Sequence, residues 1–286
     1  MNKTKQNIVV LGSTGWIGKR LIQELDLLAH AVPGEVIRQI MEVRNSKARL
    51  KELLDVSTNS IFINLIGNRH GSESEMIAAN EEFPNLLADI LAPSENFIIH
   101  LGSAAEYGIQ DPEVSISEDC ECKPVSIYGR TKLRGTECIQ SLDNSVVLRP
   151  FNVVGANLDE KNTLSIILNK TRVAMESSQP VTLQNAYTTR DFVPIDFLLR
   201  SICKAIELRR TGTYNICTGI PISLNEIIQA IMKIGGWKER IISTSLDSND
   251  VVYGNPGKWI TLSGLSTSIS AYEIIEIVSR GKKLDL

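Results

Sequence analysis

Tyr128 and Lys132, in the string YGRTK, stand four residues apart, a spacing that can support acid–base chemistry. The apolar periodicity of Val125 to Ile139 predicts a helix, so both side chains project from one face. A lysine ammonium beside the phenol would lower the pKa of Tyr128 and make it a usable general acid or base. The pattern also arises by chance, and Lys132 is then a solvated lysine beside a half-buried tyrosine.

Ser103 stands just after a predicted strand, Asn96 to Leu101, in the string HLGSAAEYG. A parallel sheet presents its ligands at the carboxyl ends of its strands. The hydroxyl of Ser103 is therefore expected to hydrogen-bond a substrate carbonyl or alcohol oxygen, opposite the phenol of Tyr128.

Three glycines in GSTGWIG (residues 12–18) follow a predicted first strand, Ile8 to Leu11, and open a predicted helix, Trp16 to Leu28. Such a turn lets the backbone approach a pyrophosphate, and the start of the helix favours an anion. We therefore expect a dinucleotide cofactor at this turn. The turn residues predicted to contact it are Gly12, Gly15, Trp16, Ile17 and Gly18.

The type of dinucleotide depends on the residue that closes the second strand, which we predict at Val36 to Met41. A carboxylate there favours NAD, and an arginine favours the 2′-phosphate of NADP. The segment offers both Glu42 and Arg44. We expect NADP with Arg44 as the contact, and NAD is the alternative.

These residues require a scaffold of short β-branched runs that alternate with amphipathic stretches, the pattern of a parallel sheet. We predict an α/β fold with a doubly wound parallel Rossmann sheet over residues 1–160, to which 191–217 return. Residues 161–190 and 218–286 are expected to form a small substrate-binding lobe.

Composition excludes several classes of partner. The chain has 286 residues, a net charge of -3 and dispersed basic residues, which favour neither nucleic acid nor an anionic membrane. The apolar run Ile8 to Leu11 is too short for a signal peptide. The five cysteines show no metal-site spacing, so no metal is expected. We expect a cytoplasmic protein with reduced thiols.

Taken together, the strings and their order resemble the NAD-dependent epimerase/dehydratase group of the extended short-chain dehydrogenase/reductases. The similarity runs from Ile8 to about Gly219. Besides the strings above, it rests on INLIGN (63–68), Asn80, LRPFNVVG (148–155), TTRDFVPID (188–196) and GTYNICTG (212–219).

The resemblance implies a catalytic set of Ser103, Tyr128 and Lys132, in which Tyr128 and Lys132 also contact the cofactor. It implies that Asn80 holds the active-site lysine in place. The alternative is that Asn80 is an ordinary polar residue of a helix. It also places Leu65, after the third strand, at the cofactor.

The resemblance further implies that Asn152 and Arg190 contact a nucleotide-sugar. The alternative for Arg190 is an ion pair with Asp191 or Asp196. An arginine fork suits a diphosphate, so we expect the binding role.

Ala104 and Ala105 depart from relatives that place acid–base residues after the serine. Two methyl groups cannot move protons, so we do not expect dehydration. We expect an NAD(P)-dependent reductase of a keto nucleotide-sugar, of the 4-dehydro-6-deoxyhexose type, and a homodimer is compatible with this. The alternatives are an NAD-dependent C4 epimerase and a non-catalytic NAD(P)-binding regulator.

Overall fold

The structure is a computed structural model that describes residues 7–25, 29–43, 45–54, 59–177, 179–183, 185–237, 241–243 and 250–280. Its strands are β1 Asn7–Leu11, β2 Ala29–Val32, β3 Ser60–Asn64, β4 Phe97–Leu101, β5 Ser145–Pro150, β6 Asn152–Val154, β7 Val181–Leu183, β8 Thr189–Pro194, β9 Gly212–Ile216, β10 Pro221–Ser223, β11 Ile241–Ser243 and β12 Val251–Val252. Its α-helices are α1 Trp16–Glu24, α2 Gly34–Met41, α3 Ser46–Leu54, α4 Glu73–Ile77, α5 Phe83–Leu91, α6 Ile127–Gln140, α7 Thr163–Ser177, α8 Ile195–Leu208, α9 Leu224–Ile234, α10 Gly257–Ser263 and α11 Ala271–Ser279.

The main sheet has six strands in the order β2-β1-β3-β4-β5-β9, and each neighbouring pair is parallel. Because β2 and β3 lie on opposite sides of β1, the chain changes direction across the sheet at β1. The carboxyl ends of strands at such a point border a crevice in which ligands bind. The predicted doubly wound parallel sheet is confirmed.

Both faces of β3, β4 and β5 are buried, as expected for parallel strands covered by helices, whereas the edge strand β2 is partly exposed. Val10, Ile63 and Leu148 point into a core that contains residues of α8, whereas Val9 and Phe62 point into a core that contains residues of α5. This alternation fixes the strands, and hence the loops that follow them, in a rigid layer.

A third core lies outside the main sheet, among α7, α9 and α11 and the short strands beside them. Strands β6, β10 and β12 all pair with β8, and β7 pairs with β11. Helix α10 packs elsewhere, because Trp259 lies in the main core with its indole N–H donated to Ser201. Within the described residues, no helix has the length and apolar character needed to cross a membrane.

The predicted second strand is wrong. Val36 to Met41 belongs to helix α2, and the second strand is the four-residue β2, which pairs with β1 from Ala29 to Val32. The apolar residues of this segment recur at helical spacing, and they bury Ile37 against the sheet. A short apolar run is ambiguous between strand and helix until its packing is known.

Candidate active site

A cavity of about 760 Å³ opens beyond the carboxyl ends of β4 and β5. That volume lies within the range of small-molecule sites. Its walls combine the start of α1, the loops after β3 and β4, helix α6 and strands β6 and β8. The predicted site residues that line it are Trp16, Ile17, Ser103, Tyr128, Asn152 and Arg190.

Ser103 follows β4 and caps a short 3-10 turn, Ala104–Glu106. Its Oγ accepts a hydrogen bond from the Ala105 N–H at 3.2 Å, and its own N–H donates to Glu106 Oε1 at 2.8 Å. Tyr128 lies in the first turn of α6, which Ser126 caps through the Gly129 N–H. The structure therefore brings the serine and phenol hydroxyls into one cavity.

The phenol of Tyr128 is half-buried, and burial raises its pKa. Hydrogen bonding to Ser103 and the charge of Arg69 act in the opposite direction, whereas the charge of Glu106 raises the pKa further. Tyr128 is therefore protonated at neutral pH, the state that a general acid requires.

Lys132 is buried one helical turn beyond Tyr128 and points towards the sheet. Its Nζ donates to the Leu101 carbonyl oxygen at 2.6 Å. Burial lowers the pKa of Lys132 to about 8, and the charge of Glu106 opposes this shift. On balance the pKa of Tyr128 is raised, because burial outweighs the lowering charge of Arg69, and the lowering by Lys132 that the sequence suggested stays a prediction.

Asn80 lies in a π-helical turn, Ala78–Glu82, between α4 and α5. Its carboxamide accepts from the Asn68 N–H and donates to the Asn68 carbonyl, both at 2.8 Å, and it also donates to Thr131 Oγ1 at 3.1 Å. Asn80 thus joins the loop after β3 to α6 beside Lys132, and these hydrogen bonds do not include the lysine itself.

The glycine loop holds its shape through its own backbone. Gly12 has a φ of 87°, and a Cβ there would lie 3.2 Å from the Leu65 carbonyl carbon. A Cβ on Gly18 would lie 2.2 Å from the Gly12 carbonyl oxygen, so only glycine fits. Trp16 and Ile17 open α1, where first-turn N–H groups have no intrahelical acceptor. This cradle suits the pyrophosphate of a dinucleotide.

Gly15→Val is expected to abolish cofactor binding and leave the fold intact. Gly15 is exposed, and a Cβ there meets only the Gly12 carbonyl oxygen, at 3.3 Å. The larger side chain would fill the space of the pyrophosphate, while the loss of a glycine N-cap costs about 1 kcal/mol at most. Calorimetric titration with NADPH and NADH measures the loss, and thermal unfolding checks the fold. Dinucleotide affinity equal to wild type would mean that the cofactor lies elsewhere.

The two residues predicted to bind a nucleotide-sugar both line the cavity from the side of β8. Asn152 Nδ2 donates to the Asp191 carbonyl oxygen at 3.0 Å. Arg190 forms an ion pair with Asp250 and donates to two backbone carbonyls. The partner of Arg190 is therefore neither Asp191 nor Asp196, the two considered from the sequence. It is Asp250, which lies 60 residues further along the chain.

Sequence reasoning missed a buried ion pair beneath the serine. Glu106 Oε2 and Arg149 Nε are 2.7 Å apart, and both side chains are at least 95% buried. The other oxygen of Glu106 accepts from the Ser103 N–H and from Thr136 Oγ1. Glu106 therefore ties together the serine turn, α6 and β5, although nothing in the local pattern marks it.

Arg69, in the loop after β3, was also missed. Its guanidinium carbon lies 5.9 Å from the centroid of the Tyr128 ring, and the side chain lines the cavity. Leu65, in the same loop, donates its N–H to the Leu11 carbonyl oxygen at 3.0 Å and so lies against the glycine loop. Arg44 lies outside the described residues.

Comparison with known proteins agrees with this architecture. The model of the NAD-dependent epimerase/dehydratase family matches residues 8–217. A GDP-6-deoxy-D-talose 4-dehydrogenase of Aggregatibacter actinomycetemcomitans is 27% identical over 314 residues, covering 98% of this chain and 99% of that protein. A dTDP-6-deoxy-L-talose 4-dehydrogenase (NAD(P)(+)) of Kitasatospora kifunensis is 28% identical over 253 residues, covering 80% and 79%.

The fold of this chain is also found in solved structures. RMD from Pseudomonas aeruginosa, complexed with NADPH, superposes with a TM-score of 0.77 at 17% identity, over 95% of this chain and 97% of that chain. Together with the family match, this confirms the Rossmann architecture. The chain belongs to the NAD-dependent epimerase/dehydratase family and is an NAD(P)-dependent enzyme of the extended short-chain dehydrogenase/reductase type.

Proposed function

We propose that the protein is an NADPH-dependent reductase of a keto nucleotide-sugar, of the 4-dehydro-6-deoxyhexose type. The observation that carries this proposal is the meeting of Ser103 and a protonated Tyr128 in a cavity that the first turn of α1 also borders. A keto carbon between the phenol and the cofactor-binding turn would receive a hydride on one side and a proton on its oxygen.

Two relatives support the choice of substrate. Both are named as 4-dehydrogenases of a nucleotide-linked 6-deoxytalose, one GDP-linked and one dTDP-linked. Oxidation at C4 of such a sugar is the reverse of reduction of its 4-keto form. In this proposal the reacting oxygen lies at Ser103 and the diphosphate lies towards Asn152 and Arg190, with the diphosphate replacing Asp250 as the partner of the Arg190 guanidinium.

The residues of the chain act on the oxygen of that sugar. Bound NADPH supplies the hydride. Ser103 Oγ donates a hydrogen bond to the keto oxygen, and this bond strengthens as negative charge develops there. Tyr128 Oη then gives its proton to the alkoxide. Lys132 is proposed to hold the nicotinamide ribose, with Asn80 fixing the helix around it.

Elimination of water needs a further acid–base pair near the serine. Ala104 and Ala105 line the cavity at the two positions after Ser103, and neither can move a proton. The site therefore supports hydride transfer with a single proton transfer.

The end of β2 favours the phosphorylated cofactor. Val32 closes the strand, and Pro33 and Gly34 follow it, so these three positions offer no carboxylate to the ribose 2′-OH. The first acid, Glu35, lies 3.8 Å from Arg38, which provides a guanidinium on the same helix. The solved relative RMD is complexed with NADPH. We propose NADPH, with Arg38 on α2 as a contact to the 2′-phosphate, and keep Arg44 as the candidate from the sequence, although the segment it was expected to close as a strand is helix α2.

Arg44→Ala is expected to weaken NADPH binding by about 1.5–3 kcal/mol, the scale of a charge-assisted hydrogen bond, with little change for NADH. Arg38→Ala is measured in the same way. Comparison of the two variants shows whether Arg44, predicted from the sequence, or Arg38, on α2, contacts the 2′-phosphate. Calorimetric titration of each variant with NADPH and with NADH gives four affinities, which are compared with those of the wild type. Equal losses for NADPH and NADH in both variants would contradict a 2′-phosphate contact at either residue.

Net consumption of cofactor tests the reductase itself. Purified protein is mixed with NADPH and either a GDP-linked or a dTDP-linked 4-keto-6-deoxyhexose. We expect little bound dinucleotide after purification and one NADPH oxidised per keto sugar. Retained NAD(H) with no net consumption would instead identify an epimerase, because that reaction regenerates its cofactor. Cofactor binding without any turnover would identify a regulator.

A further inference from the structure

The loop after β3 is held rigidly beside the phenol. The Asn80 carboxamide pairs with both backbone groups of Asn68, and Asn68 Oδ1 in turn accepts from the N–H groups of His70 and Gly71, at 3.1 and 2.9 Å. Asn80 also donates to Thr131, in the helix that carries Tyr128. The backbone of Arg69, between Asn68 and His70, is therefore fixed relative to the phenol.

The charge of Arg69 is directed at the Tyr128 ring. Its guanidinium carbon lies 5.9 Å from the ring centroid, and the residue forms no ion pair with a carboxylate of the described residues. Arg190, the other arginine of the cavity, is neutralised by Asp250. Of the two arginines that line the cavity, Arg69 is therefore the one whose charge has no carboxylate partner among the described residues.

Lys132, the other cation near the phenol, is directed elsewhere. Its Nζ donates to the Leu101 carbonyl oxygen at 2.6 Å, and the charge of Glu106 acts on it. Of the charged groups that act on Tyr128, Arg69 lowers the pKa of the phenol and Glu106 raises it.

We propose that Arg69 is a positioning residue that stabilises the tyrosinate formed when Tyr128 gives its proton to the substrate oxygen. In that step the phenol O–H bond breaks, the proton moves to the alkoxide, and the electron pair stays on the phenolate oxygen. Solvent water returns the proton before the next turnover. The inference rests on the proposed function for this step, and Arg69 acts in addition to Lys132, which is proposed to hold the cofactor ribose.

Other titratable groups share the surroundings of the phenol, and a measured pH dependence must be assigned among them. They are His70 beside Arg69, Glu106 after β4, Lys132 on α6, Asp159 after β6 and Arg190 on β8. Direct titration of the Tyr128 phenol removes this ambiguity, since it reports one group alone.

The test titrates the ultraviolet absorbance of tyrosinate in the cofactor-free protein. The Tyr128 signal is the difference between each protein and its Tyr128→Phe counterpart in the same background. We expect Arg69→Gln to have roughly three- to tenfold less tyrosinate at Tyr128 at a given pH, the effect of one nearby charge partly screened by water. Arg69→Lys keeps the charge and should lie between this variant and the wild type.

Arg134→Gln is the matched control, because Arg134 is an exposed arginine of α6 paired with Glu81. It should titrate as the wild type does. An unchanged Tyr128 titration in Arg69→Gln, with circular dichroism equal to wild type, would overturn the inference. An unchanged titration with weakened NADPH binding would overturn it too, by assigning Arg69 to the cofactor. The titration needs no turnover, so failure of the proposed reductase activity would be seen separately.

Discussion

Tyr128→Phe is expected to reduce turnover by roughly 10²-fold or more, the usual scale for losing a general acid. The substitution removes only the phenol oxygen and keeps the ring, which packs beneath Arg69. The fold and the NADPH affinity should therefore stay close to wild type. Turnover is measured at saturating NADPH and keto sugar, and the affinity by calorimetric titration.

Tyr107→Phe is the matched control for that experiment. Tyr107 is fully buried near the site, and its hydroxyl donates to Asn215 Oδ1 at 2.7 Å. Its loss leaves the buried Asn215 oxygen without this donor, so it should lower stability by about 1–3 kcal/mol and leave turnover within a few-fold of wild type. If Tyr128→Phe retained wild-type turnover, or if both variants lost activity equally, Tyr128 would not be the general acid.

Glu106→Gln is expected to lower the free energy of unfolding by about 3–5 kcal/mol, because it leaves a buried cation without its partner. Glu106 and Arg149 are 0% and 5% exposed, so water cannot replace the lost carboxylate. A loss of this size is a large part of the stability of a typical protein. Urea denaturation of the two proteins measures the difference.

Glu81→Gln provides the comparison, since Glu81 pairs with Arg134 at the surface, 3.2 Å apart. Exposed pairs contribute about 0–1 kcal/mol. Adding Arg149→Met to Glu106→Gln should recover part of the loss, because no charge is then left unpaired and the glutamine oxygen can still accept from the Ser103 N–H and Thr136. Equal losses from Glu106→Gln and Glu81→Gln would contradict the role assigned to the buried pair.

Much of the fold could be predicted because local patterns determine it. The Ser223 capping box with Glu226 begins α9, and the helix ends at Ile234, before two glycines, so residues adjacent in sequence mark both of its ends. The glycine loop and the tyrosine–lysine pair were recognised because their residues are neighbours in sequence. Each of these signals spans fewer than ten residues.

The parts that could not be predicted depend on contacts between distant segments. Glu106 and Arg149 are 43 residues apart, and Arg190 and Asp250 are 60 apart. No periodicity connects such pairs. The direction of the Lys132 side chain is a similar case, because its acceptor at Leu101 belongs to another element. The prediction of a strand at Val36 to Met41 failed because packing against the sheet decides between helix and strand in short apolar runs.

Transfer of deuterium from labelled NADPH to the sugar tests the central claim most directly. The enzyme is mixed with a GDP-linked or dTDP-linked 4-keto-6-deoxyhexose and NADPH deuterated at either prochiral position of nicotinamide C4. Mass spectrometry of the sugar product follows the label. The account predicts that one of the two NADPH forms gives a product with a single deuterium at the carbon that carried the keto group, with one NADPH oxidised per sugar. Oxidation of NADPH with no deuterium in the sugar from either form would contradict direct hydride transfer at this site.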